Sequence, residues 1–165
     1  MENKEQAGSK EVHITHVFNA DRALVFKAWT DPEQLATWYA PDGCTISFAK
    51  ADIKQGGQYL SCVHVPAYGD CWCKGTYQVV DAPNKLVFTM EVTDETGKDV
   101  TPTEAGMAEG WPQVTTVTVL FFDLDGKTKI ELHQTVSEEL AKKTGAYPSW
   151  LSMFDKLSES GFTGW

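Results

Sequence analysis

The apolar positions along this chain change their period twice, and each change predicts a different kind of element. Residues 11–19 alternate between apolar and polar side chains, which is typical of a half-buried strand. Helical spacing follows over residues 21–29 and 31–38, and Asp31 before Pro32 is a typical helix start. Beyond residue 43 the alternation returns, so the sequence predicts one strand, two short helices and then a series of strands.

Six further strands are predicted where apolar and polar side chains alternate between short turn sequences. They cover residues 44–52, 58–65, 70–81, 85–93, 114–122 and 127–136. Residues 94–112 form a long polar loop, and loops of this length are often functional or mobile. We expect Met107, Trp111 and Pro112 to fold back from this loop over the sheet or over the mouth of a cavity.

The last predicted element is a helix over about residues 148–160 that carries one bulky apolar stripe. Helical character begins earlier, over residues 137–143, but Gly145-Ala146 interrupts it and Pro148 restarts it. The stripe consists of Trp150, Met153, Phe154 and Leu157. An amphipathic helix that follows antiparallel strands buries its stripe across the face of the sheet. The predicted fold is therefore α+β, with three helices and seven strands: a strongly bent antiparallel sheet is wrapped around one long C-terminal helix.

A bent sheet around a helix leaves a space between them, and bulky side chains of both elements are candidates to line it. Ligand pockets are mostly apolar with a few polar groups, and here the polar groups would come from His16, Ser61 and Cys73. The predicted ligand-binding residues are His16, Trp29, Trp38, Tyr39, Tyr59, Ser61, Cys73, Tyr77, Trp150, Met153 and Phe154. The alternative is that the same side chains fill the space as ordinary core.

Composition and charge describe a single acidic domain. The chain has 165 residues, of which 42% are hydrophobic, and a formal net charge of -9. This charge disfavours nucleic acids and anionic membranes as partners. Residues 1–9 are polar and are predicted to be a disordered tail before one domain at 10–165. Because no membrane span, export signal or lipidation signal is visible, we expect a cytoplasmic protein whose four cysteines are reduced thiols.

Cys62, His64, Cys71 and Cys73 lie on two neighbouring predicted strands and raise the question of a zinc site. If position 62 pairs with position 73, all four side chains share one face of the hairpin. A shift of one residue in the register puts Cys62 and His64 on the opposite face from the other two. The spacings include no pair of the CxxC type, so we predict small packed thiols and neither a metal nor another cofactor.

The sequence assigns a catalytic role to no residue. It contains no nucleophile elbow, phosphate-binding loop or dinucleotide-binding fingerprint. His16 shares a strand face with Ile14 and Phe18 and is expected to point inward, whereas His133 is expected on the face opposite Leu132. A single histidine on a strand is more often a packed, hydrogen-bonded residue than a catalyst.

Trp72 is expected on the outer face of the sheet. Trp72 lies between Cys71 and Cys73 on a predicted strand, so its side chain points to the opposite face from theirs and to the same face as the side chain of Lys74. An exposed aromatic side chain at that position would suggest a contact between two copies of the chain, so both a monomer and a homodimer are open.

Several short segments also occur in a characteristic order along the chain. They are Phe18-Asn19-Ala20, Val25-Phe26-Lys27-Ala28-Trp29-Thr30, Asp31-Pro32-Glu33-Gln34-Leu35 with Trp38, Gly56-Gly57 with Tyr59, Lys74-Gly75-Thr76-Tyr77, Pro83-Asn84-Lys85-Leu86-Val87-Phe88-Thr89, Thr116-Val117-Thr118-Val119 with Phe121, Lys127-Thr128-Lys129, and Trp150 with Leu157. In order and spacing they resemble the START-like (SRPBCC) superfamily, in the branch related to the activator of the heat-shock protein 90 ATPase. The resemblance covers about residues 11–160.

This resemblance implies a helix-grip fold with a hydrophobic cavity between the terminal helix and the sheet. Relatives on this fold bind lipids, hormones or polyketides, some catalyse cyclisation or hydrolysis, and a eukaryotic relative serves a chaperone. Three functions are therefore expected, in this order: binding of a hydrophobic small molecule, a chaperone-linked interaction in the stress response, and an enzyme of the cyclase or hydrolase type. Function diverges widely on this fold.

Two departures from the family pattern affect these expectations. The family commonly has glycine before the tryptophan of the terminal helix, whereas here Ser149 follows Pro148, and the helix is predicted to stop at Gly161. A shorter helix would change the length of the cavity or leave one end open. The full chaperone activator has an additional domain without a counterpart in this sequence, which lowers the expectation of co-chaperone activity.

Overall fold

A computed structural model describes residues 10–107 and 109–160, and within them the chain forms seven strands and four helices. The strands are β1 (Glu11–Phe18), β2 (Thr45–Ala51), β3 (Gln58–Val65), β4 (Gly69–Asp81), β5 (Lys85–Thr93), β6 (Val114–Leu124) and β7 (Lys127–Ser137). The helices are α1 (Arg22–Thr30), α2 (Pro32–Trp38), α3 (Glu138–Thr144) and α4 (Ala146–Ser160). The predicted tail at 1–9 and the predicted helix stop at Gly161 lie outside the described residues.

All seven strands belong to one antiparallel sheet in the order β1-β7-β6-β5-β4-β3-β2. The predicted α+β helix-grip fold is confirmed. The predicted count of three helices was wrong, because α3 is a separate element. Ser137 accepts a hydrogen bond from the Leu140 amide at 3.1 Å and caps its start, and Gly145, with a φ of 91°, ends it in the left-handed conformation.

Two register shifts bend the sheet on the side where α2 lies. One falls between Phe48 and Lys50 on β2, and the other between Tyr77 and Val79 on β4. Extra residues of this kind increase the local twist and bend a strand. Gly75 on β4 allows Thr89 of β5 and Tyr59 of β3 to come close, because any side chain at position 75 would overlap the Thr89 carbonyl oxygen and the Tyr59 ring.

Helix α4 lies on the concave face of this bent sheet, as the apolar stripe predicted. All four residues of the stripe are buried, and they join the core residues of β1, β6, β7 and α1 in one cluster. The loop after β5 also returns to this core, where Trp111 packs against it partly buried. Burial of these apolar side chains is the main force that holds helix and sheet together.

A buried chain of hydrogen bonds fixes the helix on the sheet. The Trp150 indole nitrogen donates to the Gln134 Oε1 atom at 2.9 Å, and the Gln134 amide donates to the Thr115 hydroxyl at 3.1 Å. Gln134 belongs to β7 and is only 3% exposed. Because a buried indole N–H without a partner is unfavourable, this chain allows one position of α4 and disfavours sliding along the sheet.

Replacing Gln134 with leucine should lower the free energy of unfolding by about 1–3 kcal/mol, because Trp150 and Thr115 both lose a buried partner. Urea unfolding measures the change. Gln58→Leu is the matched control, since Gln58 is exposed on β3 and a surface substitution there should stay within about 0.5 kcal/mol of the parent protein. Equal stability of the two variants would contradict the role of the buried chain.

Candidate functional site

An aromatic cluster fills the space between the helices and the bent half of the sheet. Trp29, on the inner face of α1, lies at its centre. The Trp29 ring is 4.8 Å from the ring of Trp38, 6.0 Å from that of Tyr39 and 6.3 Å from that of Trp150, measured between ring centroids, and the last pair is stacked. The end of α2 supplies Trp38 and Tyr39, and α4 supplies Trp150. The predicted space is therefore occupied largely by rings from three helices.

One small void remains inside this cluster. Its volume is about 10 Å³, which is the lower limit for one water molecule and far below the roughly 300 Å³ of a typical ligand pocket. The lining residues are Trp29, Leu35, Tyr39, Phe48, Tyr59, Tyr77 and Phe88. A cavity large enough for a ligand stays a prediction.

Four of the predicted ligand-binding residues line this void: Trp29, Tyr39, Tyr59 and Tyr77. Trp38, Trp150, Met153 and Phe154 belong to the surrounding core, with Cys73 packed partly buried against it. Ser61 is buried on β3, and its hydroxyl donates to the Cys73 carbonyl oxygen at 3.3 Å. Sequence reasoning missed Leu35, Phe48 and Phe88 as lining residues, although all three are apolar residues of predicted elements on α2, β2 and β5.

His16 points towards α4 and does not line the void. Its ring lies 4.5 Å from that of Phe18 and 5.5 Å from that of Phe154, and its Nε2 atom is 3.1 Å from the Ser158 hydroxyl. Burial lowers the pKa of His16, and the nearby carboxylate of Asp155 opposes this shift. The inward orientation is as expected, but the void gains no polar group from it.

Among the residues that line the void, Tyr59 has a paired polar group, whereas those of Trp29 and Tyr39 are unpaired. The Tyr59 hydroxyl donates to the Thr89 carbonyl oxygen at 2.7 Å and lies 3.7 Å from the Cys73 thiol. By contrast, the Trp29 indole nitrogen and the Tyr39 hydroxyl are buried without a hydrogen-bond partner among the described residues. Because buried polar groups are nearly always paired, these two atoms are exceptional.

Burial also controls the protonation of the site. It raises the pKa of Tyr39 and Tyr59 well above the ordinary value, and nearby phenol and thiol groups add to both shifts. Burial likewise raises the pKa of Tyr77, and it raises the pKa of Cys73 to about 11. All four groups are therefore neutral at physiological pH, and the site disfavours added negative charge.

The register of the β3–β4 hairpin settles the question of the cysteines. Ser61 pairs with Cys73, and Cys62 pairs with Trp72. Side chains directly opposite each other share a face, so Cys62 lies on the other face from Cys73. Within residues 10–107 and 109–160, no group of three His, Cys, Asp or Glu residues is arranged to hold a metal ion.

The outer face of the sheet carries the other histidines and the predicted dimer contact. His64 Nδ1 is 2.6 Å from an Asp70 carboxylate oxygen, and His133 Nε2 is 2.7 Å from one of Glu11. Trp72 shares this face with Lys74, as predicted, and lines an open groove with residues of the loop at 103–107. A contact between two copies at Trp72 stays a prediction.

Comparison with known proteins gives a family and a fold. The model of the family described as Activator of Hsp90 ATPase homolog 1-like protein matches residues 19–160. No curated protein shows significant sequence similarity to the chain. No helix in the described part of the chain has the length and apolar character to cross a bilayer.

Several solved structures share the fold at low sequence identity. Protein Ms6760 from Mycobacterium smegmatis superposes with a TM-score of 0.77 at 20% identity, covering 92% of this chain and 90% of its own. Protein CV1439 from Chromobacterium violaceum has a TM-score of 0.74 at 19% identity, with coverages of 90% and 94%. The AHSA1 protein from Silicibacter pomeroyi has a TM-score of 0.70 at 15% identity, with coverages of 92% and 96%. These likenesses show the fold alone.

Removing the two tyrosine hydroxyls separately should have different consequences for stability. Tyr39→Phe deletes an unpaired buried hydroxyl, so we expect an equal or higher free energy of unfolding. Tyr59→Phe deletes the donor to Thr89, so we expect a loss of about 1 kcal/mol. Urea unfolding of the two variants measures the difference, and an equal loss in both would show that the Tyr39 hydroxyl is paired.

Stability should decrease at alkaline pH because of the buried phenols and the Cys73 thiol. Each group is neutral when protonated and has a higher pKa in the folded protein than in the unfolded chain. Their contribution to stability is complete below the unfolded pKa and is lost as the pH rises through the folded pKa. For Cys73 this window runs from 9.0 to about 11.

We therefore expect a constant urea midpoint between about pH 7 and pH 8.5 and a falling midpoint above about pH 9. Cys73→Ala removes one of the titrating groups and should reduce the slope of unfolding free energy against pH by up to about 1.4 kcal/mol per pH unit. A midpoint that does not change up to about pH 10.5 would contradict the burial of these groups.

Proposed function

The chain belongs to the family of Activator of Hsp90 ATPase homolog 1-like proteins, and on that premise we propose that it binds a hydrophobic small molecule between its C-terminal helix and its sheet. The helix-grip fold is a ligand-binding scaffold in general. The observation that carries the proposal for this chain is the small void inside the core, whose lining consists mainly of aromatic rings.

The ligand enters by widening this void. Tyr39 is the lining residue that directly follows α2, and the loop at 40–43 comes after it. It is only half-buried as a residue although its hydroxyl is fully buried. An outward movement of the Tyr39 ring with this loop connects the void to solvent, while the rings on the sheet stay in place.

Two side chains of α4 hold the loop closed. The Lys156 ammonium group donates to the carbonyl oxygens of Ala40 at 2.6 Å and Pro41 at 3.2 Å. The Asp42 amide donates to the Ser152 hydroxyl at 3.0 Å. The bonds from Lys156 are charge-assisted and contribute about 1.5–3 kcal/mol, and the neutral bond to Ser152 contributes about 1 kcal/mol. Together they favour the closed loop by an amount that a ligand can overcome.

Ligand screening combined with NMR tests the proposal. A thermal-shift screen with flavonoids, sterols and fatty acids identifies compounds that raise the melting temperature, since a ligand that binds only the folded protein stabilises it. Nuclear Overhauser contacts from a bound compound to the rings of Tyr77 and Phe88 would support the interior site. The absence of any stabilising compound, or contacts only to outer-face residues such as Leu60 and Lys74, would overturn it.

Lys156→Met should accelerate ligand association several-fold, because the loop at 40–43 loses its charged contact and the open form becomes more populated. Stopped-flow fluorescence with a ligand from the screen measures the rate. Lys142→Met is the matched control: Lys142 lies on α3, where it pairs with Glu138 and packs over the Tyr147 ring. Equal association rates in the two variants would exclude this loop as the route of entry.

A chaperone-linked role is the second candidate, and family membership is the observation that favours it. It predicts that an outer surface of the protein, rather than the void, binds the partner. Stimulation of the ATPase rate of a heat-shock protein 90 chaperone by the purified chain would support this role. No change in the rate, together with no binding in a pull-down, would count against it.

The third expectation, an enzyme of the cyclase or hydrolase type, has no observation in its favour. General acid–base catalysis needs a histidine or carboxylate near the substrate. The residues that line the void supply phenols and apolar rings, and the pKa values of the phenols are raised by burial.

A further inference from the structure

The open groove beside Trp72 combines aromatic rings with carboxylates. Its volume is about 430 Å³, which lies in the usual range for a small-molecule site. We call it the outer groove, and its lining includes Tyr68, Asp70, Trp72, Asp94, Glu104 and Met107. The side chain of Trp72 points to the opposite face of the sheet from that of Cys73, which packs against the core. The outer groove is therefore separate from the void.

The outer groove lies where the turn between β3 and β4 meets the loop after β5. Gly106 of this loop lies against the Tyr68 hydroxyl, and any side chain at position 106 would overlap that hydroxyl. The loop is supported by its own backbone, since the Met107 amide donates to the Pro102 carbonyl oxygen at 2.8 Å. The two walls of the groove are thus in direct contact, which keeps their rings and carboxylates near each other.

Two carboxylates of the outer groove are held by backbone amides. The Asp94 Oδ1 atom accepts hydrogen bonds from the amides of Thr96 at 2.8 Å and Lys98 at 3.0 Å. The Glu104 Oε1 atom accepts one from the Thr101 amide at 2.8 Å. Hydrogen bonds from Thr96 and Lys98 lower the pKa of Asp94, and those from Thr101 lower the pKa of Glu104. Both groups are therefore negatively charged at physiological pH.

The negative charge of the outer groove is only partly balanced. Asp70 has a partner, since one of its carboxylate oxygens lies 2.6 Å from His64 Nδ1. Within the described part of the chain, neither Asp94 nor Glu104 forms an ion pair. No lysine, arginine or histidine among the described residues lines the groove. The groove therefore offers aromatic rings and carboxylates without a cation of its own.

We propose that the outer groove binds a small organic cation of the quaternary ammonium type, which contacts the Trp72 ring and the carboxylates of Asp94 and Glu104. An alkylated ammonium group is attracted both by the face of an aromatic ring and by carboxylates, and its alkyl groups pack on apolar walls. An anion is disfavoured, because the groove carries three carboxylates and the chain a net charge of -9. The assignment does not depend on the proposed interior site.

Choline and 3,3-dimethyl-1-butanol test the role of the charge. The two molecules have nearly the same shape, but the alcohol has a carbon atom in place of the charged nitrogen. NMR titration of the parent protein measures both affinities at the Trp72 indole N–H and at the Gly106 amide. We expect choline to shift these two resonances and to bind at least about fivefold more tightly than 3,3-dimethyl-1-butanol.

Three variants test the groups that we assign to the site. Trp72→Leu removes the ring and should weaken choline binding about fivefold or more, measured at the Gly106 amide. Glu104→Gln removes a charge and keeps an oxygen that can accept from Thr101, and it should weaken binding about threefold or more. Glu33→Gln is the matched control: Glu33 is exposed on α2, which packs on the other face of the sheet. This control should stay within about twofold of the parent protein, because solvent screens distant charges.

Three results would overturn the proposal. The first is equal affinity for choline and 3,3-dimethyl-1-butanol. The second is an equal effect of Glu104→Gln and Glu33→Gln, which would show that choline responds to the overall charge alone. The third is no shift of the Trp72 indole resonance with choline; if sedimentation velocity then also showed a dimer that Trp72→Leu dissociates, the groove would be a contact between two copies. None of these results bears on ligand binding in the void.

Discussion

The seating of Trp150 on the sheet is the contact on which the interior depends. Its ring stacks on that of Trp29, and its indole nitrogen is hydrogen-bonded to Gln134. Apolar burial alone would allow the helix to slide, since hydrophobic contact is not directional. The hydrogen bond is directional, so it holds Trp150 at one place along β7. The position of α4 in turn determines how much space is left between the helix and the sheet.

Much of the fold could be predicted from the sequence, because alternation along strands and the apolar stripe of the last helix are local patterns. It was harder to predict that α3 is a helix of its own, since Ser137 and Gly145 begin and end a helix only in particular backbone conformations. The partners across the hairpin could not be predicted at all. A strand keeps its alternation in either register, so the face that Cys62 shares was open until Cys62 was seen opposite Trp72.

The sequence pointed to some of the residues around the void, but it missed Leu35, Phe48 and Phe88 and did not reveal the geometry. Aromatic side chains at inward positions could be read from the chain, and Trp29, Tyr39, Tyr59 and Tyr77 do surround the void. Its volume depends on how the rings pack against each other, which no local pattern determines. The pairing of each donor is equally non-local: the acceptor for Tyr59 lies 30 residues away on another strand.

The unpaired indole and phenol have a consequence for the balance between packing and polarity in the core. Each such group lowers stability by about 1–3 kcal/mol, a sizeable share of the roughly 5–15 kcal/mol that keeps a typical domain folded. The interior of this chain is therefore less stable than its shape alone allows. Position 39 is a place where one atom, the phenol oxygen, accounts for part of that difference.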